Sequence, residues 1–400
     1  MRLRTALIGS LILLSACAGG VYLLGRYHFR AAQAALAREA FDEAQAELEQ
    51  CLRVWPRSAP AHLLAARTAR RRHAYELAEQ QLADCKRLQA NEEAVALESV
   101  LIKVQQGYFA GTEDMLHDLV AGNSPDASII LAGLAEGYVH TFQSQKALLT
   151  INELLSRQPA NANAFALRGR VWEILLKDEQ ALRDYERAVE LGPELDEGRL
   201  RLADMLAKLG RTREALAQYR CLRRRQPDNL AVAVGLAHCL HDLAELKEAR
   251  ELLDSVLPSH PEHVAALVER GRVAIRQGEL ENAESWLRKA VSLAPLDQDA
   301  HVVYHACLVA EQKQEEANNV LTVVNKLATD YTRLKILMMK VGEAPREASF
   351  PCDIGIILLR NGREEEGVNW LKKALELDPG YTRARVALRE HARQKSNPGQ

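Results

Sequence analysis

Six prolines, Pro125, Pro159, Pro193, Pro227, Pro261 and Pro295, follow one another at intervals of 34 residues, although only 13 of the 400 residues are proline. Six alanines, Ala147, Ala181, Ala215, Ala249, Ala283 and Ala317, repeat at the same interval. Two residue types locked at one offset mark a repeated supersecondary unit, and a period of this length means a solenoid. Within the period 264–297, apolar residues recur at helical spacing on both sides of a break at Gln277-Gly278-Glu279. The unit is therefore two short antiparallel helices. Gly271 and Ala283 are small enough to let the two approach, while Leu267, Leu287 and Ala290 fill the space between them. Pro295 stops the second helix because it lacks an N–H and restricts the residue before it.

This pattern resembles the tetratricopeptide repeat (TPR) family, whose 34-residue motif has preferred residues at positions 4, 7, 8, 11, 20, 24, 27 and 32. The unit 162–195 carries Phe165, Gly169, Trp172, Ala181, Tyr185, Ala188 and Pro193 at seven of those positions, with Arg168 where leucine is usual. The next unit, 196–229, follows with Leu202, Ala203, Leu206, Ala215, Tyr219 and Pro227. The register extends back through 128–161, a divergent unit near 93–127 with one extra residue, then 59–92 and 25–58, where Ala44 and Ala78 keep the spacing. Forwards it holds to 298–331 and returns at 348–381 with Gly355, Ala374 and Pro379. The interval from Pro295 to Pro379 exceeds two periods by sixteen residues, so an insertion between Leu327 and Ser349 is expected to lengthen one helix and add a loop.

The expected fold is an all-α superhelical solenoid of about ten helical hairpins with an N-terminal membrane helix. Its segments are an anchor or lipoprotein signal over 1–25, the array over 26–331, the insertion over 332–347, a last repeat over 348–381, and a capping helix and tail over 382–400. The resemblance implies that first helices line a concave channel and second helices form the back.

Charge and composition exclude several functions. A net charge of −2 with 26% charged residues gives no basic field for nucleic acid. There is no GxxxxGK[ST] loop, HExxH, GxSxG elbow or strand-flanked GxGxxG, so neither catalysis nor a cofactor is expected. His301 and His305 with Cys307 form the nearest metal-like spacing, but both histidines fall on packing positions, so no metal is expected. Asp297-Gln-Asp299 resembles a sugar-transferase DxD and reads as a helix cap. Met338-Met339 reads as core, although a Met pair also suits an adaptable surface. Seven cysteines show no CxxC. Cys51 and Cys85 sit at equivalent sites of successive hairpins, about 8–10 Å apart at the helix axes, beyond the roughly 7 Å Cα limit of a disulfide.

The resemblance also points to a binding face, since first-helix positions 2, 5, 9 and 12 of such arrays usually face the channel. Position 9 places Arg67, Glu136, Arg170, Asp204, His238 and Arg272 there, and position 12 adds Arg70, Glu173 and His241, with Arg276 one residue further on. A ladder of charges suits an extended peptide. The chaperone-tail clamp is not expected, because its lysine and asparagine positions are occupied here by Ala166, Arg170, Leu200, Arg201 and Asp204. The cluster Arg67, Arg70, Arg71 and Arg72 suits either anionic headgroups or a solvated helix end, and Arg223-Arg224-Arg225 complements a helix dipole.

Arg2 and Arg4 precede an uncharged run from Thr5 to Gly25. At 1.5 Å per residue it spans about 30 Å, the thickness of a bilayer core. Leu14-Ser15-Ala16-Cys17 also resembles a lipobox, which would make Cys17 a lipidation site. Val21-Tyr22-Leu23-Leu24 stays apolar where a mature lipoprotein usually has a polar tether, which favours the uncleaved span. Arginines flank the run on both sides, so the positive-inside rule assigns no orientation, while six array cysteines favour a reducing side. The expected function is a membrane-anchored, non-catalytic scaffold in a bacterial cell envelope, binding one or more proteins or extended peptides. Two alternatives stay open: an envelope assembly or export factor of the pilus or polysaccharide type, and an accessory subunit of a glycan- or peptide-modifying enzyme. Phe165, Trp172 and Tyr185 lie on packing positions, which disfavours glycan binding.

Overall fold

The computed structural model describes residues 2–37, 40–109, 111–344 and 346–396, with side chains from Gly19 onward except at 37, 342, 343, 394 and 396. Among the described residues every regular element is an α-helix. In chain order these are α1 (Arg2–Ala37), α2 (Phe41–Val54), α3 (Ala59–Arg71), α4 (Tyr75–Arg87), α5 (Glu92–Gln105), α6 (Glu113–Ala121) and α7 (Ala127–His140). Then come α8 (Ser144–Arg157), α9 (Ala162–Ile174), α10 (Asp178–Leu191), α11 (Asp196–Lys208), α12 (Thr212–Arg225), α13 (Leu230–Asp242) and α14 (Leu246–Val256). The last are α15 (Val264–Gln277), α16 (Leu280–Leu293), α17 (Gln298–Ala310), α18 (Gln314–Glu343), α19 (Ser349–Arg360), α20 (Glu364–Leu377) and α21 (Thr382–Ser396). The chain divides into two compact units, Met1–His140 with Leu149–Pro159, and Thr141–Leu148 with Ala160–Gln400.

The 34-residue period fixes three local devices. In five hairpins the residue preceding the first helix caps it. Ser58, Asn161, Asn229, His263 and Asp297 each accept the backbone N–H three residues on, at 3.4, 2.9, 3.2, 3.2 and 2.8 Å, satisfying a donor that a helix start leaves unpaired. In three hairpins position 4 ties the unit to the turn before it. The Nε2 of His62 and of His301 lies 3.2 and 2.9 Å from the carbonyls of Pro56 and Pro295, and Arg199 donates to that of Pro193 at 2.9 Å. The turn between the two helices places one residue in the left-handed region. Phe142, Leu176, Gly210, Ala244, Gly278 and Gln312 follow at 34-residue steps with φ from 55 to 79°.

Close approach of the two helices comes from position 8. A Cβ added to Gly169, Gly271 or Gly355 would lie within 2.6–2.7 Å of Tyr185, Leu287 or Leu371 of the paired helix. The departure at Arg168 is compensated locally: its guanidinium grips the buried Asp184 through two bonds of 2.7 Å, and the indole of Trp172 adds a third donor at 3.0 Å. In the second unit the segment 141–148 packs on α20, with Phe142 stacked on Trp370 at 4.7 Å and Lys373 Nζ donating to the Phe142 carbonyl at 3.3 Å. Burial beside Lys146 pushes the Lys373 ammonium down to about 8. The insertion region belongs to α18, which runs 30 residues where an ordinary second helix here has 14. Helix α21 covers the end, seating Ala384 against Cys352, Leu371 and Ala374.

The expected span over Thr5 to Gly25 falls mostly on residues 2–18, and with Cys17 it lies outside the described side chains. Among the described residues no helix is long and apolar enough to cross a membrane.

Among the described residues, five of the eight left-handed residues in turns within hairpins other than the divergent one are not glycine. An L-residue there costs about 1–2 kcal/mol, partly offset by the entropy a glycine loses. Ala244→Gly, at an exposed turn with φ 61°, is expected to raise stability by roughly 0.5–1 kcal/mol. The measurement is a higher urea midpoint at unchanged slope, and an unchanged or lower midpoint would contradict it.

Candidate partner-binding face

In the second unit the first helices α9, α11, α13, α15 and α17 pack each on the next, while the second helices pack on their own hairpin and the following first helix. One face of the unit is therefore built from first helices alone. Arg170, Glu173, Asp204, His238, His241, Arg272 and Arg276 belong to these first helices, at the positions the register assigns to that face.

Most of these charges are tied to other side chains of the fold. The phenol of Tyr185 donates to Glu173, and that of Tyr219 to Asp204 at 2.5 Å. Helices crowded around Asp204 raise its carboxyl, with the Tyr219 hydrogen bond pulling the other way. Glu269 of α15, which is 5% exposed, is the hub of the next contact: its Oε1 lies 3.2 Å from His238 Nδ1 and 3.1 Å from Arg272 Nε. Arg272 also pairs with Asp299 across to α17. Burial opposes the Arg272 charge and these two acids outweigh it, so its guanidinium is held more firmly protonated than usual. His241 lies 3.2 Å from Asp242, and burial pushes its imidazole below the ordinary range. Arg170 and Arg276 are exposed and make no hydrogen bond or ion pair among the described residues.

In the first unit the same register is more enclosed. Arg70 is buried at 2% exposure, with Nε 2.8 Å from Glu98, whose other oxygen takes Arg67 Nε at 2.9 Å. Glu136 accepts from the buried Gln105. Arg70 is thus a packed ion-pair partner and not a free channel cation, because burying an unpaired guanidinium would be costly.

The remaining candidates resolve as packing. Arg72 pairs with Asp42 at 2.7 Å and Arg71 sits 4.8 Å from the Phe41 ring centre, so with Arg67 and Arg70 the whole basic cluster is engaged internally. Arg225 holds the Pro193 carbonyl at 2.9 Å and Asp196 at 3.2 Å. Asp297 caps α17 and Asp299 pairs with Arg272. Met338 packs in the core around Trp370 while Met339 is 55% exposed. Cys51 and Cys85 are separate free thiols, donating at 3.5 and 3.7 Å to the carbonyls of Gly25 and Ala59. No group of three or more His, Cys, Asp or Glu side chains among the described residues is arranged to hold a metal.

Two features escape the register argument. The ladder becomes apolar at α17, where positions 5, 9 and 12 are Val302, Ala306 and Val309, all exposed. Three of the contacts reach one repeat on and one helical turn back. Arg67 with Glu98, Gln105 with Glu136, and His238 with Glu269 are each 31 residues apart. An acid at that offset is the signal in the sequence that marks a position-9 side chain as engaged.

Models described as tetratricopeptide repeat match residues 179–229, 210–271, 264–295 and 352–381. The chain is similar to the rice "DnaJ protein P58IPK homolog A", at 25% identity over 218 residues, covering 50% of this chain and 46% of the relative. A stretch of 118 residues is 33% identical to the Drosophila melanogaster "Protein O-mannosyl-transferase Tmtc1", covering 29% of this chain and 13% of that protein. The chain thus spans less than half the length of these curated relatives. Among solved structures it resembles PilW, described as a widely conserved type IV pilus biogenesis factor. There the identity is 20%, the TM-score 0.43, and the match covers 49% of this chain and 91% of that one.

The His238 imidazole is raised from its ordinary 6.5 by the Glu269 hydrogen bond against the opposing effect of burial. Its contribution to stability is full below about 6.5 and is lost as pH rises through the raised value. His241, lowered by burial, acts only below 6.5 and with the opposite sign. The melting temperature is therefore expected to fall between pH 6.5 and 8 more steeply in the native protein than in His238→Gln. Equal slopes would contradict the His238–Glu269 link.

Proposed function

We propose that this chain, which carries tetratricopeptide repeats over residues 179–295 and 352–381, is a membrane-tethered, non-catalytic scaffold that holds an extended protein segment along the first-helix face. The observation that carries this reading is the pair of exposed, unpartnered cations on that face, Arg170 on α9 and Arg276 on α15. Between them the other charged groups of the ladder are hydrogen-bonded or ion-paired within the fold, so they define the shape and polarity of the face. Beyond Arg276 the exposed Val302 and Val309 offer apolar contact. A segment with acidic side chains spaced along it, and an apolar side chain toward α17, complements this arrangement.

The tether rests on the uncharged run from Thr5 to Gly25 and on α1, which continues through it without a break from Arg2 to Ala37. Where side chains are described, the run ends in exposed Val21, Tyr22, Leu23 and Leu24, with Tyr22 5.5 Å from the Trp55 ring. Aromatic side chains at the end of an apolar segment suit a membrane–water interface. The lipobox-like Leu14-Ser15-Ala16-Cys17 supports a second reading, an exported lipoprotein of an envelope assembly machine.

Two measurements test these statements. Arg170→Glu with Arg276→Glu is expected to abolish capture of the native partner while leaving the far-ultraviolet dichroism unchanged; retained capture would refute the face assignment. The mass of the N-terminal peptide after extraction from the native membrane separates the tethers. A peptide beginning at Met1 or Arg2 is expected for the span, and one beginning at an acylated Cys17 would replace it with the lipoprotein reading.

A further inference from the structure

The lengthened α18 changes how the array stacks. At 1.5 Å per residue its 30 residues reach about 45 Å, twice the length of an ordinary second helix here. The earlier first helices of this unit stack on their successors, but α17 and α19 do not stack on one another in this way among the described residues. A groove of about 780 Å³ lies between α18 and the first turn of α19. That lies within the roughly 300–1,000 Å³ of ordinary ligand sites. Its α18 wall is a single helix stripe at three- and four-residue spacing, which includes Arg333, Ile336, Leu337 and Lys340; its α19 wall includes Phe350 and Asp353.

The groove has an apolar floor and one spare cation. Leu337 and Phe350 belong to the core around Trp370, while Ile336 is 50% exposed. The Asp353 carboxylate is already occupied, with Oδ2 3.3 Å from Arg333 and Oδ1 2.5 Å from Arg383. Lys340 lies 5.6 Å from the Phe350 ring centre and has no carboxylate partner among the described residues. An ammonium beside an aromatic face and an aliphatic floor is complementary to an apolar side chain next to a carboxylate.

We propose that this groove is a second peptide site, separate from the first-helix face, which takes a short segment ending in or containing an apolar residue beside a carboxylate. The carboxylate meets Lys340, and the apolar side chain lies on Ile336, Leu337 and Phe350. The insertion is what builds the site, since no other second helix of the unit extends beyond its hairpin to form such a wall.

The test is a fluorescein-labelled hexapeptide positional library, synthesised with free and with amidated C termini, screened against the full-length protein. Selection of Leu, Phe or Met next to Asp, Glu or a free C-terminal carboxylate is expected, and the amidated arm tells a chain end from an acidic side chain. Lys340→Glu should weaken the best peptide at least about tenfold, the scale of a charge-assisted contact, and Ile336→Asp should do likewise. Both positions are exposed, and dichroism checks their folding. Arg170→Glu with Arg276→Glu should leave this binding unchanged, so failure of the first-helix face and failure of the groove are distinguishable. Selection of basic peptides, or binding indifferent to Lys340→Glu, would overturn the proposal. So would a dimer in sedimentation that Ile336→Asp dissolves, since a second copy would then cover the groove.

Discussion

The contact on which the rest of the molecule depends is the approach of two helices so close that a glycine of one meets the side chain of the other. Gly169 against Tyr185 shows why it matters for function as well as for packing. The ring is held so tightly that its hydroxyl emerges at a fixed point on the inner face, where it donates to Glu173. Tyr219 does the same for Asp204. The core thus sets which charges of the face are engaged and which are left for a partner.

Much of the fold was legible because the period is carried by residues with single physical roles. Proline ends helices, and small residues permit close approach. His301, read as a packing residue, is found on the Pro295 carbonyl. The left-handed turn residue was legible only where it is glycine, as at Gly278; at Leu176, Ala244 and Gln312 the fold imposes a conformation that the residue does not favour. The insertion announced itself as a break in the comb, but its consequence, a lost stacking contact between α17 and α19, depends on three-dimensional register.

The proposed binding face was legible as a register and not as a set of free charges. Arg70 and Arg272 are also cations of the register, yet Arg70 has Glu98 one repeat on, and Arg272 has Asp299 there and Glu269 on its own helix; a guanidinium so paired gains little from a further anion. Arg170 and Arg276 lack such partners. This gives the face few strong anchors, which suits a ligand that gains affinity by spanning several repeats.

The central claim is that a partner lies on the first helices of the second unit. Site-specific photocrosslinkers introduced at Ala306 on α17 and at Lys247 on the second helix α14, in protein in its native cells, test it most directly. A discrete partner adduct from Ala306 and none from Lys247 is the expected result. An adduct from Lys247 with none from Ala306 would place the partner on the back of the array and contradict the account.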